Sequence, residues 1–241
     1  MARGLFESRA RARAAIEAGG VTADGRVVLK ASELLEEGAA LVAVAAHPWV
    51  GRGALKLLHA LETWPVAVAG RTVLDIGAST GGFTEVCLAK GAARVFAVDV
   101  GRGQLHPSLA ADPRVVNLEA TDARGLTAAL IGEAPQLIVS DVSFIGLAKA
   151  LPAALALAGE GADLIALVKP QFEVGPERVG KGGLVKDAGV RAEALAAVMA
   201  FLEGAGWAVQ ATADSPIAGG DGNLESLVWA RKKAPSNCKW K

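Results

Sequence analysis

The chain has 241 residues, 52% of them hydrophobic, with 25 basic and 25 acidic side chains in formal balance. That supplies a sizeable core without cross-links, and the two distant cysteines, Cys87 and Cys238, give neither a metal spacing nor a disulfide framework. No charge-free run of about 18 apolar residues marks a membrane span and no apolar leader opens the chain, so a reduced, cytoplasmic setting is expected.

Charge is balanced in sum but not in place. Residues 1–30 hold six basic side chains (Arg3, Arg9, Arg11, Arg13, Arg26, Lys30) against three acidic ones, and the last eleven residues hold five basic and none acidic. Basic ends of this kind fit a polyanionic partner. Ser8 reads as an N-cap, and Arg9 to Ala18 as a helix halted by Gly19-Gly20. Arg9 and Arg13 share one face of it, Ala12 and Ile16 another. An Asp24-Gly25 turn between Val21 and Val27–Leu29 predicts a hairpin, and a strand over 40–44 closes a small α+β domain spanning residues 1–45.

Residues 46–66 form a linker and lead-in, punctuated by His47-Pro48 and Trp64-Pro65. Between them V-G-R-G-A-L-K-L-L-H-A-L predicts a helix with Leu55, Leu58 and Leu61 facing the core. Arg52 and Lys56 lie four apart at its glycine-rich start, and Arg52 is a candidate for phosphate contact.

From 67 to 231 strands and helices alternate. Candidate strands are 73–76, 95–99, 115–118, 137–141, 163–168, 207–213 and 226–231; helices are expected over 83–90, 145–158 and 187–204. Continuous apolar strands alternating with helices predict an α/β fold with a largely parallel sheet covered on both faces. The glycine-rich loop before the last strand fits an antiparallel seventh strand. Residues 232–241 are expected to be a basic, disordered tail.

The stretch Val73 to Phe83, V-L-D-I-G-A-S-T-G-G-F, organises this region. It reads as a buried strand, a glycine turn and a helix start. Gly77, Gly81 and Gly82 let backbone pass close under a ligand, and the helix offers unpaired N–H groups to it. Asp99, at the end of the next strand, is placed to accept ribose hydroxyls. A nicotinamide fingerprint wants glycine where Ser79 stands. The order D-x-G-x-x-x-G-G, opened by Asp75, instead resembles the first motif of S-adenosylmethionine-dependent methyltransferases. That resemblance implies AdoMet as cofactor, with Asp75 helping to hold the methionine ammonium. It adds Ala78, Ser79, Thr80, Phe83, Val100, Asp122 and Asp141 to the cofactor residues; Asp122 reads equally as a helix cap.

Ligands in such sheets sit beyond the carboxyl ends of the strands. Asp141 and Lys169 stand there, and a lysine ending an apolar strand needs a partner, for which Asp141 is the natural candidate. Glu225 opens the last strand. Lys56, Asp141, Lys169 and Glu225 appear in the order of the K-D-K-E tetrad of the FtsJ-like ribose 2'-O-methyltransferases. The strings G-R-G-A-L-K-L, D-I-G-A-S-T-G-G-F-T, A-V-D-V-G-x-G-Q-L, S-D-V-S-F-I, V-K-P-Q-F-E and G-K-G-G-L-V-K-D are similar to those of the TlyA branch, bacterial rRNA cytidine 2'-O-methyltransferases also labelled hemolysins. Residues 1–45 resemble the small RNA-binding domain named after ribosomal protein S-four, with a short first helix. Gly51 stands where the branch usually has serine.

The resemblance implies a Rossmann-like methyltransferase sheet preceded by a small RNA-binding domain, with ribosomal RNA within ribosomal subunits as partner. Neither membrane nor metal is implied. Lys169 would take the ribose proton, Asp141 would orient it, and Lys56 and Glu225 would position the ribose. Arg9, Arg11, Arg13, Arg52, Lys181 and Lys186 are the candidate RNA contacts, and Phe172 is a candidate for stacking on a base. An RNA-binding protein with a vestigial methyltransferase fold, a small-molecule O-methyltransferase and a membrane-lytic protein are the competing readings. Both tetrad and glycine turn are intact, against the first. Residues 9–18 are too short and alanine-rich for the last.

Overall fold

The computed structural model describes residues 3–6 and 8–234. The chain divides into two compact units, Met1–Trp49 and Val50–Lys241. In the first unit, Ser8 caps a helix over Arg9–Glu17, its hydroxyl accepting from the Arg11 amide at 3.2 Å. Three short strands follow: β1 (Val21–Ala23), β2 (Arg26–Val27) and β3 (Leu41–Ala43). They form an antiparallel sheet in the order β2-β1-β3. Asp24 and Gly25 both take left-handed backbone, as a tight hairpin turn between β1 and β2 demands. Ala15, Val21, Ala23, Val28 and Ala39 make a small core of their own.

The second unit is a seven-stranded sheet. Its strands are β4 (Thr72–Ile76), β5 (Arg94–Val98), β6 (Val115–Leu118), β7 (Leu137–Ser140), β8 (Asp163–Val168), β9 (Trp207–Asp214) and β10 (Ser226–Lys232). Their order is β6-β5-β4-β7-β8-β10-β9. The first five are parallel, and β10 runs antiparallel to both neighbours. β4, β7 and β8 are buried along their whole length, as a sheet covered on both faces requires. Leu74, Ile138, Leu164, Val228 and Trp207 meet Leu147, Leu151 and Leu202 from the covering helices in one continuous core.

Three expectations are corrected. The lead-in helix (Ala54–Thr63) buries Ala54, Lys56, Leu57 and Ala60, while Leu55, Leu58 and Leu61 are only partly buried. The two rows differ by one residue, about 100° around a helix, and the row beside the buried lysine is the one that faces inward. The helix expected over 145–158 is two, Leu147–Ala150 and Pro152–Leu157. Pro152 has no N–H and cannot continue the first helix. Finally, the last strand runs one residue past its expected end: Lys232, assigned to the tail, belongs to β10 and pairs with Trp207. The rest of the basic tail, residues 235–241 with Cys238, lies outside the described residues.

At the end of the sheet away from the parallel strands' carboxyl termini, fully buried Asp163 accepts from Arg71 at 2.7 Å, Trp229 Nε1 at 2.9 Å and Arg231 at 2.9 Å. Each carboxylate oxygen is satisfied, so this polar knot braces the sheet without opening a site.

Candidate active site

The turn after β4 places three positive-φ residues in alternation: Gly77 (+84°), Ser79 (+49°) and Gly81 (+97°). Gly77 has no alternative. A Cβ there would lie 3.0–3.1 Å from the backbone of Asp141 and Val142, which cross directly above it. The helix behind the turn (Gly82–Ala89) begins without a side-chain cap, leaving its first N–H groups for a ligand. Glu85 in its first turn accepts from the Val50 amide at 2.6 Å and fixes the segment that leads to Lys56.

Two cavities open at this end of the sheet. The smaller, about 180 Å³, is walled by Gly53, Gly77–Thr80, Gly82, Phe83, Asp141, Ser143 and Lys169. The larger, about 500 Å³, includes Asp99, Val100, Gln104, Asp122, Phe144 and Ile145 in its wall. Gly77, Ser79, Asp141 and Ser143 line both, so the cavities meet there. The combined volume lies in the range of ligand pockets.

Of the expected cofactor residues, Ala78, Thr80, Gly82 and Phe83 face the small cavity, Asp99, Val100 and Asp122 the large one, and Gly77, Ser79 and Asp141 both. Asp99 already accepts from the Ser79 amide at 2.8 Å and the Gly101 amide at 2.7 Å. Each carboxylate oxygen keeps a further lone pair for a ligand hydroxyl. Asp122 caps a short turn and closes on Arg124 at 2.5 Å, which holds its carboxyl down at about 2. It serves as cap and cavity wall together.

Asp75 and Gly81 line neither cavity. Asp75, expected to meet the methionine ammonium, is completely buried and accepts from Thr84 Oγ1 at 2.6 Å, while its Oδ1 has no hydrogen-bond partner. The strand pleat sends it toward the helix Gly82–Ala89 rather than into the ligand space. Burial, opposed by the Thr84 bond and reinforced by Asp141, pushes its carboxyl up to about 7. At Gly81 a side chain would run into Leu105 and Leu109, so this glycine shapes the turn.

The four tetrad residues form two ion pairs. Lys169 Nζ lies 2.7 Å from Asp141 Oδ1, the side chains 11% and 19% exposed. Lys56 Nζ donates to Glu225 Oε2 at 2.6 Å, with side chains 7% and 2% exposed. The pairs are adjacent because Ser226 of β10 pairs with Val168 of β8, which sets Glu225 beside Lys169. Burial raises the Glu225 carboxyl, against the pull of Lys56 and Lys169. Lys56 and Glu225 line neither cavity; they stand behind the wall that Lys169 and Asp141 present.

Sequence reasoning missed three residues. Ser143 Oγ accepts from Lys169 Nζ at 2.7 Å. Asn223, 2% exposed, accepts from the Val185 amide at 2.8 Å and donates to Gly183 O at 2.9 Å, tying the basic loop of Lys181 and Lys186 to the segment that delivers Glu225. Phe144, 90% exposed with φ +67°, presents its ring at the large cavity, tilted against Phe172 at 5.3 Å. Phe172, a candidate for stacking on a base, is partly buried behind it. A left-handed backbone at a bulky aromatic is uncommon, but nothing in a single sequence marks it.

Arg9, Arg13, Arg52, Lys181 and Lys186 are exposed and Arg11 is partly so. Arg13 is paired with Glu17 at 2.7 Å, and Arg52 donates to Ala218 O at 3.3 Å.

With this geometry in hand, the comparison with known proteins is direct. The model of the FtsJ-like methyltransferases matches residues 49–232, and that of the S4 domain matches residues 1–41. The chain belongs to the FtsJ-like methyltransferase family. It is 50% identical over 231 residues to the 16S/23S rRNA (cytidine-2'-O)-methyltransferase TlyA of Mycobacterium tuberculosis, covering 95% of this chain and 86% of that protein. A 23S rRNA (cytidine-2'-O)-methyltransferase TlyA of Campylobacter jejuni is 38% identical over 75% of this chain and 70% of its own length. Among solved structures, a candidate hemolysin from Streptococcus thermophilus superposes with a TM-score of 0.79 at 38% identity, covering 96% of this chain and 86% of that one. Family members thus carry both methyltransferase and hemolysin names; no helix among the described residues is long and apolar enough to cross a membrane.

Proposed function

We propose that this protein is an AdoMet-dependent methyltransferase acting on the 2'-hydroxyl of a cytidine ribose in ribosomal RNA. The observation that carries the reading is Lys169, held beside Asp141 at the point where the two cavities meet. Relatives named rRNA cytidine-2'-O-methyltransferases at 50% and 38% identity support the substrate.

The residues present fit AdoMet. Gly77 and Gly82 line the small cavity with bare backbone, and neither has room for a Cβ, which would meet the Asp141 and Val142 backbone at Gly77 and the Ala54 amide nitrogen, 3.1 Å away, at Gly82. Asp99, Val100 and Asp122 would hold the nucleoside end, and the turn Gly77–Thr80 with Gly82 and Phe83 the amino-acid end. When bound, AdoMet supplies a methyl group on a cationic sulfur.

The chain's own residues do the rest. Lys169 accepts the proton of the ribose hydroxyl as its oxygen becomes a nucleophile, and Asp141 stabilises the ammonium that forms. Lys56 and Glu225, locked to each other, set the field and shape behind the pair as one coupled set. Most of the acceleration would come from how these residues hold the acceptor oxygen against the bound cofactor. Phe144 offers a face on which the base can stack. Arg9, Arg11, Arg13, Arg52, Lys181 and Lys186 bind phosphates and position the RNA without reading its sequence.

The test is methyl transfer from labelled AdoMet to isolated ribosomal subunits, with the modified position mapped by a 2'-O-specific primer-extension stop. Label should enter a cytidine, and Lys169→Met should lower the rate roughly 10²–10⁴-fold with AdoMet affinity retained. Turnover in Lys169→Met near the wild-type rate, or no label in any subunit from a protein that binds AdoMet, would overturn the proposal.

A further inference from the structure

We infer that Ser143 is a positioning residue of this reaction, the hydrogen-bonded group that anchors one N–H of Lys169, while Asp141 acts on the ammonium chiefly through its charge. The inference rests on the reading of Lys169 as the base. The two contacts of Lys169 Nζ are equal in length and unequal in kind. Nζ donates a directed hydrogen bond to Ser143 Oγ at 2.7 Å. It also lies 2.7 Å from Asp141 Oδ1, but that approach falls outside hydrogen-bond angles, and Oδ1 is a buried oxygen with an ion pair and no hydrogen bond. Coulomb attraction at this range is large but nearly independent of orientation. A hydrogen bond weakens steeply when bent.

Direction matters here because of the shape of an amine. In its base form Lys169 has two N–H bonds and one lone pair in tetrahedral array. One N–H is fixed on Ser143, and the Asp141 charge draws the other. The lone pair is left with the remaining direction. Lys56 and Glu225 do not compete for these positions, since they close on each other at 2.6 Å. When the ribose O–H bond breaks and the new N–H bond forms, the transferred proton fills the third position, and the first two bonds need not change. Such a site pays no reorganisation cost at the moment of proton transfer.

The place of Ser143 fits that role. It lines both cavities, whereas Lys169 lines only the smaller. It sits two residues beyond Asp141, and the next residue, Phe144, takes a left-handed turn that ends the segment. Ser143 is therefore held on backbone leaving the end of β7, at the junction of the two cavities.

The experiment compares wild type, Ser143→Ala, and the equal-shaped pair Ser143→Thr and Ser143→Val, with Lys169→Met alongside. The readouts are kcat on ribosomal subunits, KM for the subunits and Kd for AdoMet. Misplacing a reacting group by about 1 Å can cost on the order of 100-fold. Ser143→Ala and Ser143→Val should therefore lose about 10–100-fold in kcat with Kd for AdoMet and KM within about threefold of wild type. Ser143→Thr, which keeps the hydroxyl, should recover at least half of that loss on a logarithmic scale. If the alanine variant does not fold, the threonine and valine pair still isolates the hydroxyl. The inference is overturned if alanine and valine variants turn over within about twofold of wild type, if threonine and valine variants are equally impaired, or if the loss appears in Kd or KM with kcat intact. Failure of the underlying reading looks different: Lys169→Met then remains active, whatever the Ser143 variants do.

Discussion

Removing one partner of the Lys56–Glu225 pair should cost far more stability than removing both. The pair closes at 2.6 Å with side chains 7% and 2% exposed, so Glu225→Gln strands an ammonium with no other charged partner among the described residues at contact distance. Breaking a buried pair in this way costs roughly 3–5 kcal/mol, whereas replacing both members by apolar residues of similar volume is often neutral or stabilising. In a unit of this size, 1 kcal/mol moves the melting midpoint by roughly 2–4 °C. Glu225→Gln should then melt roughly 6–20 °C below wild type, and the double variant Lys56→Met/Glu225→Leu close to wild type. Thermal melts followed by circular dichroism, without AdoMet, give the comparison. Methyl transfer measured in parallel should be lost in both variants, which separates the pair's catalytic use from its structural cost. A Glu225→Gln midpoint within about 2 °C of wild type would refute the reasoning, because Lys56 would then have reached solvent. So would a double variant as unstable as the single one, since packing rather than stranded charge would then carry the loss.

Four further outcomes follow from other parts of the structure. Because burial lifts Asp75 from its ordinary 3.8 to about 7, the folded state holds an extra proton between those values. Its contribution to stability is therefore lost as pH rises through that window and levels off above about 7. Urea titrations at pH 5 and pH 8 should show this slope in wild type and a weaker one in Asp75→Asn. Gly77→Ala combines a φ of +84° with a Cβ 3.0 Å from Asp141 O, so it should cost about 1–3 kcal/mol and weaken AdoMet binding at least tenfold by calorimetry. In Gly51→Ala the one tight contact is with the Thr80 hydroxyl, which can rotate, the Gly82 backbone lying at an ordinary 3.7–3.8 Å; this variant should retain near-normal affinity. Asn223→Ala leaves the Val185 amide and Gly183 carbonyl without their partner; it should cost about 1–3 kcal/mol and speed hydrogen exchange at Val185, with AdoMet affinity unchanged.

The parts of this protein legible in its sequence are those with a strong local signal. A buried strand running into D-I-G-A-S-T-G-G-F has few other structural meanings, and Asp141 and Lys169 betray themselves as charges at the ends of apolar strands. Their pairing follows from the cost of burying either alone. The phase of the lead-in helix was not legible, because two apolar rows one residue apart both satisfy a helical period and only the tertiary partner of Lys56 chooses between them. Pro152 did carry a signal for the broken helix. Ser143 carried none: a serine after a strand is commonplace, and its meaning depends on an ammonium 26 residues away in the chain. Asp75 misleads for a related reason. Strand alternation can send an acid toward a helix as easily as toward a ligand, and the sequence motif does not say which.

The threading of β10 between β8 and β9 has a consequence for the life of the chain. Lys56 and Asp141 precede it in the chain, yet Glu225 reaches Lys56 only once β10 has paired with β8 and brought β9 with it. Until then, among the described residues, a lysine destined for the interior has no counter-charge at contact distance, and the outer strand β9 has no other neighbour than β10 through which to join the sheet. Completion of the four-charge cluster and closure of the sheet are thus one event. A chain that has not yet placed β10 can present the glycine turn, but not the completed set of four charges.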